Sequence, residues 1–137
     1  MTDTRERILD ADLVSIWKFK DDPDRIECLL ALDALTNTVS DGQSLLESDF
    51  PVYFKSIVEE TTVCAPVATE HPMTRELAEP YFEPNGILSL LDFIVHHDFK
   101  PAGIICCESR SKRRDWSQAD RDYLLRLATI ASFNTRI

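Results

Sequence analysis

Ile87-Leu88-Ser89-Leu90-Leu91-Asp92-Phe93-Ile94-Val95, followed by His96-His97-Asp98-Phe99-Lys100-Pro101 and then Ala102-Gly103-Ile104-Ile105-Cys106-Cys107-Glu108-Ser109, is the stretch that decides the fold. Two apolar runs of strand length around one polar connection read as an antiparallel hairpin with a wide tip. Both runs are apolar at successive positions rather than at every second one. A sheet containing them must therefore be covered on both faces.

Working outward, Leu13–Lys20 is rich in β-branched and aromatic residues and ends at Asp21-Asp22-Pro23-Asp24, so it reads as a strand and a turn, with Ile26–Leu35 as its partner strand. Thr36–Gln43 has the Asn, Ser, Asp and Gly of a loop. Phe50, Phe54, Ile57 and Val58 fall at helical spacing and predict a short helix. Thr62–Val67, bounded by Pro66, suits a short edge strand, and Thr74 is expected to cap a helix that Pro80 ends or kinks. Residues 3–11 read as a helix of barely two turns. Ser117 with Asp120 forms the pattern of a capping box, opening a helix from 118 to about 134 with Leu124, Leu127, Ala128 and Ala131 on one face.

Antiparallel hairpins without a repeated βαβ crossover make the fold class α+β. The expected architecture is a central antiparallel sheet of five to six strands. Terminal helices cover one face, and the middle helices and loops cover the other. The loop-covered face is the natural place for a ligand cavity.

With 137 residues the chain is read as a single domain over 1–137, long enough to bury roughly two thirds of its unfolded surface. It is 44% hydrophobic and 28% charged, the balance of a packed domain rather than a disordered one. A net charge of −9 repels nucleic-acid phosphates and anionic lipid, so neither is an expected partner. No apolar run approaches the roughly 18 residues of a membrane span, and Met1–Asp12 lacks a signal-peptide core, so a cytoplasmic location is expected. Cys28, Cys64, Cys106 and Cys107 contain no CxxC pair and read as reduced core thiols.

Several segments together resemble the GAF family, from about Leu13 to the end of the chain. Ser89–Val95 resembles the family's S-x-L-D-x-P-I strand, with Ile94 where the family has Pro and Val95 where it has Ile. Gly103–Glu108 is similar to its Gly-led aliphatic strand. Arg114-Asp115-Trp116-Ser117-Gln118-Ala119-Asp120 resembles the R-x-W-[ST]-x-x-[DE] that opens its last helix. The resemblance implies a non-catalytic sensory domain with a small-molecule pocket. It implies an effector outside this sequence, such as a histidine kinase of a two-component system, a diguanylate cyclase or a transcription activator. The short first helix and the end near Ile137 fit a domain excised from a longer signalling protein. The Cys-His pair of bilin-binding relatives and the Asn-Lys-led motif of cyclic-nucleotide-binding relatives are both missing.

The resemblance also selects candidate ligand contacts. Alternation puts Ser15 and Trp17 on one strand face, where Trp17 is either a pocket wall or plain core. Tyr53, Thr74 and Tyr81 are expected to cover that face, and Leu90 and Asp92 to line it from the later strand. A carboxylate in such a run needs a partner or a shifted pKa, so Asp92 is either a ligand contact or a structural acceptor for loop N–H groups. His71, His96 and His97 lack metal-ligand spacing, and no metal is expected. Arg110, Lys112, Arg113 and Arg114 read as a solvated basic loop. No nucleophile elbow, P-loop or HExxH occurs, so catalysis has no support, and no cofactor is named by these residues. The cysteines needed by methionine-sulfoxide-reducing GAF relatives sit on strands here, which argues against that enzyme class.

The expected partners are a small-molecule ligand, a covalently attached effector, and a second copy held through the terminal helices by a stripe of Tyr123, Leu127 and Ile130. The alternative is a dimerisation or scaffold module whose pocket is filled by its own side chains.

Overall fold

The computed structural model describes residues 11–110 and 114–134, with side chains through Arg126. The helix expected over 3–11, Lys112, Arg113 and the side chains of Leu127, Ala128, Ile130 and Ala131 lie outside the described residues.

The first hairpin is β1 (Leu13–Lys20) and β2 (Arg25–Asp33), paired antiparallel with Ser15 opposite Ala31 and Trp17 opposite Cys28. The second strand stops two residues earlier than its composition suggests. Asp33 Oδ1 accepts hydrogen bonds from the backbone N–H groups of Leu35 and Thr36, closing a turn that competes with the ladder. The stretch read as a loop carries a short strand instead, β3 (Thr38–Ser40), and β4 (Ser44–Leu46) follows; both pair with β2. Neither is long enough to leave a period in the sequence.

Helix α1 (Pro51–Glu59) begins with Pro at its first turn, where the missing N–H costs nothing, and buries Tyr53, Phe54, Ser56 and Ile57. Strand β5 (Thr62–Ala65) forms one edge of the sheet. Residues 75–85 then coil through a 3₁₀ turn and a π turn into α2 (Glu83–Asn85), which ends at Gly86 in the left-handed conformation. Pro80 sits within the π turn, the expected kink. Thr74 does not cap this segment: its hydroxyl donates to the carbonyl of Ala68 at 2.7 Å, tying the preceding loop instead.

Strands β6 (Ser89–His97) and β7 (Lys100–Ser109) pair through Ser89–Ser109 at one end and His97–Lys100 at the other. The tip is therefore tight rather than wide. Asp98 and Phe99 both hold positive φ, 52° and 66°, as the two central positions of a mirror-image turn require. A register shift after Val95 absorbs the extra residue that Pro101 makes necessary.

All pairings are antiparallel, and the order is β3-β2-β1-β7-β6-β5 with β4 also on β2. The sheet has seven strands once the two short ones join the five that were legible. Ser89–Val95 is buried at every position because both faces are covered. On one face Trp17, Ile26, Tyr53, Phe54, Leu90, Ile94 and Ile104 form the larger core beneath α1 and residues 66–88. On the other, Leu91, Phe93, Ile105 and Cys107 pack with Trp116 and Leu124, where α3 (Gln118–Asn134) lies. The capping box forms reciprocally: Ser117 N–H donates to Asp120 Oδ2, and Asp120 N–H to Ser117 Oγ. No described helix is long and apolar enough to cross a membrane.

Candidate functional site

A cavity of about 380 Å³ opens on the larger-core side of the sheet. Its floor is Leu13, Ser15 and Trp17 of β1 with Cys28 and Ala31 of β2. Gln43, Ser44 and Leu45 close one side, and Tyr81, Asn85 and Arg110 the other. That volume falls within the roughly 300–1,000 Å³ of small-molecule sites. Strand alternation does the selecting, since every second residue of β1 faces inward. The indole N–H of Trp17 donates to Ser15 Oγ at 2.8 Å, which fixes the ring against the floor.

An ion pair lies in the cavity wall. Arg110 Nη1 meets Asp33 Oδ1 at 2.8 Å, and Arg110 Nε donates to the carbonyl of Asn85 at 3.0 Å. Hydrogen bonding to Arg110 holds the Asp33 carboxyl down at about 2. Arg110 is thus an ordered wall rather than part of a solvated basic loop. Arg114 is ordered too, contacting Asp120 at 3.1 Å and lying over the Trp116 ring at 5.2 Å.

Behind the floor lies a buried polar row. On adjacent strands Ser15, Cys106 and Asp92 stand side by side, and Glu108 follows Cys106 at the next inward position, opposite Leu13 and Leu90. Asp92 and Glu108 are both fully buried. Asp92 accepts from the Tyr53 hydroxyl at 2.5 Å, and Glu108 from the Tyr81 hydroxyl at 3.0 Å. Each keeps one oxygen, Asp92 Oδ1 and Glu108 Oε2, without a hydrogen-bond partner. Burial pushes Asp92 up to about 6 and Glu108 up to about 8, against the pull of the tyrosine hydroxyls. At neutral pH Glu108 is mostly a neutral acid. Burial, and then the two carboxyls on either side, drive the thiol of Cys106 well above its ordinary value, which favours the weakly nucleophilic protonated form.

Neither a family model nor a curated protein matches the sequence. Solved structures do match. The GAF domain of PixJ from Thermosynechococcus elongatus, in its blue-light-absorbing form, superposes with a TM-score of 0.74 at 16% identity over 95% of this chain and 77% of that one. The GAF domain of a sensor histidine kinase from Bacillus halodurans matches at TM-score 0.64 and 14% identity, covering 95% of this chain and 91% of its own. That of an Acinetobacter phosphoenolpyruvate-protein phosphotransferase matches at 0.64 and 19%, covering 90% and 70%. The fold is that of a GAF domain.

Within this GAF fold the residues singled out from sequence separate into two groups. Ser15, Trp17 and Tyr81 line the cavity. Tyr53, Thr74, Leu90 and Asp92 are buried beneath the cover and do not line it. Asp92 takes its hydrogen bond from a tyrosine hydroxyl on α1 and not from loop N–H groups. Glu108, Asp33 and Arg110 were not singled out as contacts. Glu108 shares inward parity with Ile104 and Cys106, the same alternation that drew attention to Asp92, so its burial was readable from the sequence. The Asp33–Arg110 pair spans 77 positions and left no local pattern. Among the described residues no group of three or more His, Cys, Asp and Glu is placed to hold a metal ion.

Proposed function

We propose that the chain is a small-molecule-sensing regulatory domain that signals to an attached effector through its terminal helices. The cavity walled by Ser15, Trp17, Tyr81 and Arg110 is the observation that carries this reading. The neighbours support it, since the matched domains belong to a photoreceptor, a sensor kinase and a phosphotransferase.

The route from ligand to output runs through β7. Its alternate residues Cys106 and Glu108 lie on the cavity side, while Ile105 and Cys107 pack in the core beneath α3. A ligand that shifts β7 against β1 also shifts the seat of Leu124, which is fully buried in that core. Only a ligand with different affinities for the two helix packings transmits a signal. A homodimer along the terminal helices, with Tyr123 at 40% exposure among the contacts, completes the reading.

The test compares the chain with an Ala31→Leu variant, which projects into the cavity floor. Thermal-shift screening, together with mass spectrometry of co-purifying molecules, is expected to yield ligands that stabilise the parent chain and not the variant. A library to which the two respond alike would refute the sensing role and favour a scaffold whose pocket is not used.

A further inference from the structure

We propose that the cavity takes an organic cation, a small aromatic molecule carrying a primary ammonium group, with Glu108 as its counter-ion and Trp17 and Tyr81 as its aromatic walls. This rests on the sensing role proposed above and specifies the chemistry of its ligand.

Glu108 does not itself line the cavity but lies directly behind three residues that do. Leu13 is its partner on β1, Tyr81 donates to its Oε1, and Arg110 stands two positions further along the chain. Its second oxygen has no donor, nor has the second oxygen of Asp92 on the next strand. Fully buried carboxyl oxygens without donors are rare, because each forfeits the hydrogen bonds it had in water. What is missing is a set of N–H donors, and an ammonium group brings three.

Three further features select a cation over an anion or a neutral molecule. The chain carries a net charge of −9, which draws cations inward at long range. Trp17 and Tyr81 are among the lining residues, and an aromatic ring is a favourable partner for a desolvated ammonium. Arg110, the positive group in the cavity wall, is engaged by Asp33 and the Asn85 carbonyl, so an anion would have to compete with a formed ion pair. Besides burial, the groups that set the charge state of Glu108 are Tyr81 above it, Asp92 on β6, Arg110 just beyond the end of its own strand, and Cys106 on that strand. On binding, Glu108 gives its proton to solvent, and the resulting carboxylate pairs with the ammonium.

Three probes with the same phenyl-plus-two-carbon skeleton test this on the whole chain by calorimetry: phenethylamine, 2-phenylethanol and phenylacetate. The amine is expected to bind at least about tenfold tighter than either analogue, at roughly millimolar affinity or better. Its binding enthalpy is expected to vary with the ionisation enthalpy of the buffer, reporting release of up to one proton. Glu108→Gln is expected to abolish both the amine preference and the proton release while leaving 2-phenylethanol binding in place. The buffer dependence is read on the unaltered chain and so does not need the variant to fold.

Equal or tighter binding of phenylacetate would overturn the proposal, as would amine binding without proton release, or no amine binding at all. Binding of phenylacetate or 2-phenylethanol in preference to the amine, abolished by Ala31→Leu, would leave the sensing role standing with the ligand class wrong. If no probe bound, the library screen described above would decide the sensing role by itself.

Discussion

Glu108→Gln is also expected to change how the stability of this domain depends on pH. Burial raises the folded-state pKa of Glu108 from 4.5 to about 8. A group raised in this way contributes stability that is fully present below its unfolded pKa and is lost as pH climbs through the folded one. At about 1.4 kcal/mol per pKa unit, the whole shift corresponds to at most roughly 5 kcal/mol between those limits. Water penetration and relaxation reduce it, so a loss of about 2–4 kcal/mol is expected from pH 5 to pH 9. Gln keeps an acceptor for the Tyr81 hydroxyl and never ionises. Urea unfolding of both chains across that range isolates Glu108, since every other titrating group is shared. The stability difference is expected to move in favour of the variant as pH rises, by about 3 °C in Tm for each kcal/mol. Parallel pH profiles would refute the claim that Glu108 is forced to ionise in a dry site.

Three other perturbations probe neighbouring contacts. Tyr53→Phe removes the donor to Asp92, and is expected to destabilise the fold by about 1–3 kcal/mol above pH 6, where Asp92 is ionised. The cost is expected to shrink toward pH 4, where the carboxyl is protonated; a cost independent of pH would count against it. Arg110→Ala returns Asp33 toward its ordinary pKa. Because a depressed carboxylate contributes stability above its unfolded pKa of 3.8 and loses it toward about 2, the variant is expected to lack that part of the acid limb in urea titrations at low pH. Ser117→Ala removes one arm of the capping box and is expected to cost about 1 kcal/mol, with an unchanged urea midpoint as the contrary result.

Long apolar strands were readable because their burial is dictated by composition. Ser89–Val95 and Gly103–Cys107 place apolar residues on both alternating faces, so any fold containing them must cover them twice. The last helix was readable because its start is written in two residues, Ser117 and Asp120, that satisfy each other's backbone locally. The tight turn at Asp98-Phe99 escaped notice because neither residue is the Gly or Asn that usually marks positive φ. Thr74 was misassigned since a threonine before a helical turn offers the same signal whether its hydroxyl caps that turn or reaches the Ala68 carbonyl.

Taken alone, the sequence determined the α+β class, the antiparallel hairpins, the two-sided sheet and the inward parity of Ser15, Trp17 and Asp92. These follow from periods of two and near-neighbour hydrogen bonds, which act over a few residues. Only the tertiary structure decided where the cavity lies, that Arg110 pairs with Asp33 in its wall, and that Tyr53 and Tyr81 each hold one of two buried carboxyls. Those contacts join residues 27 to 77 positions apart. They depend on the order in which strands meet, and that order follows from how the two cores pack rather than from any local pattern.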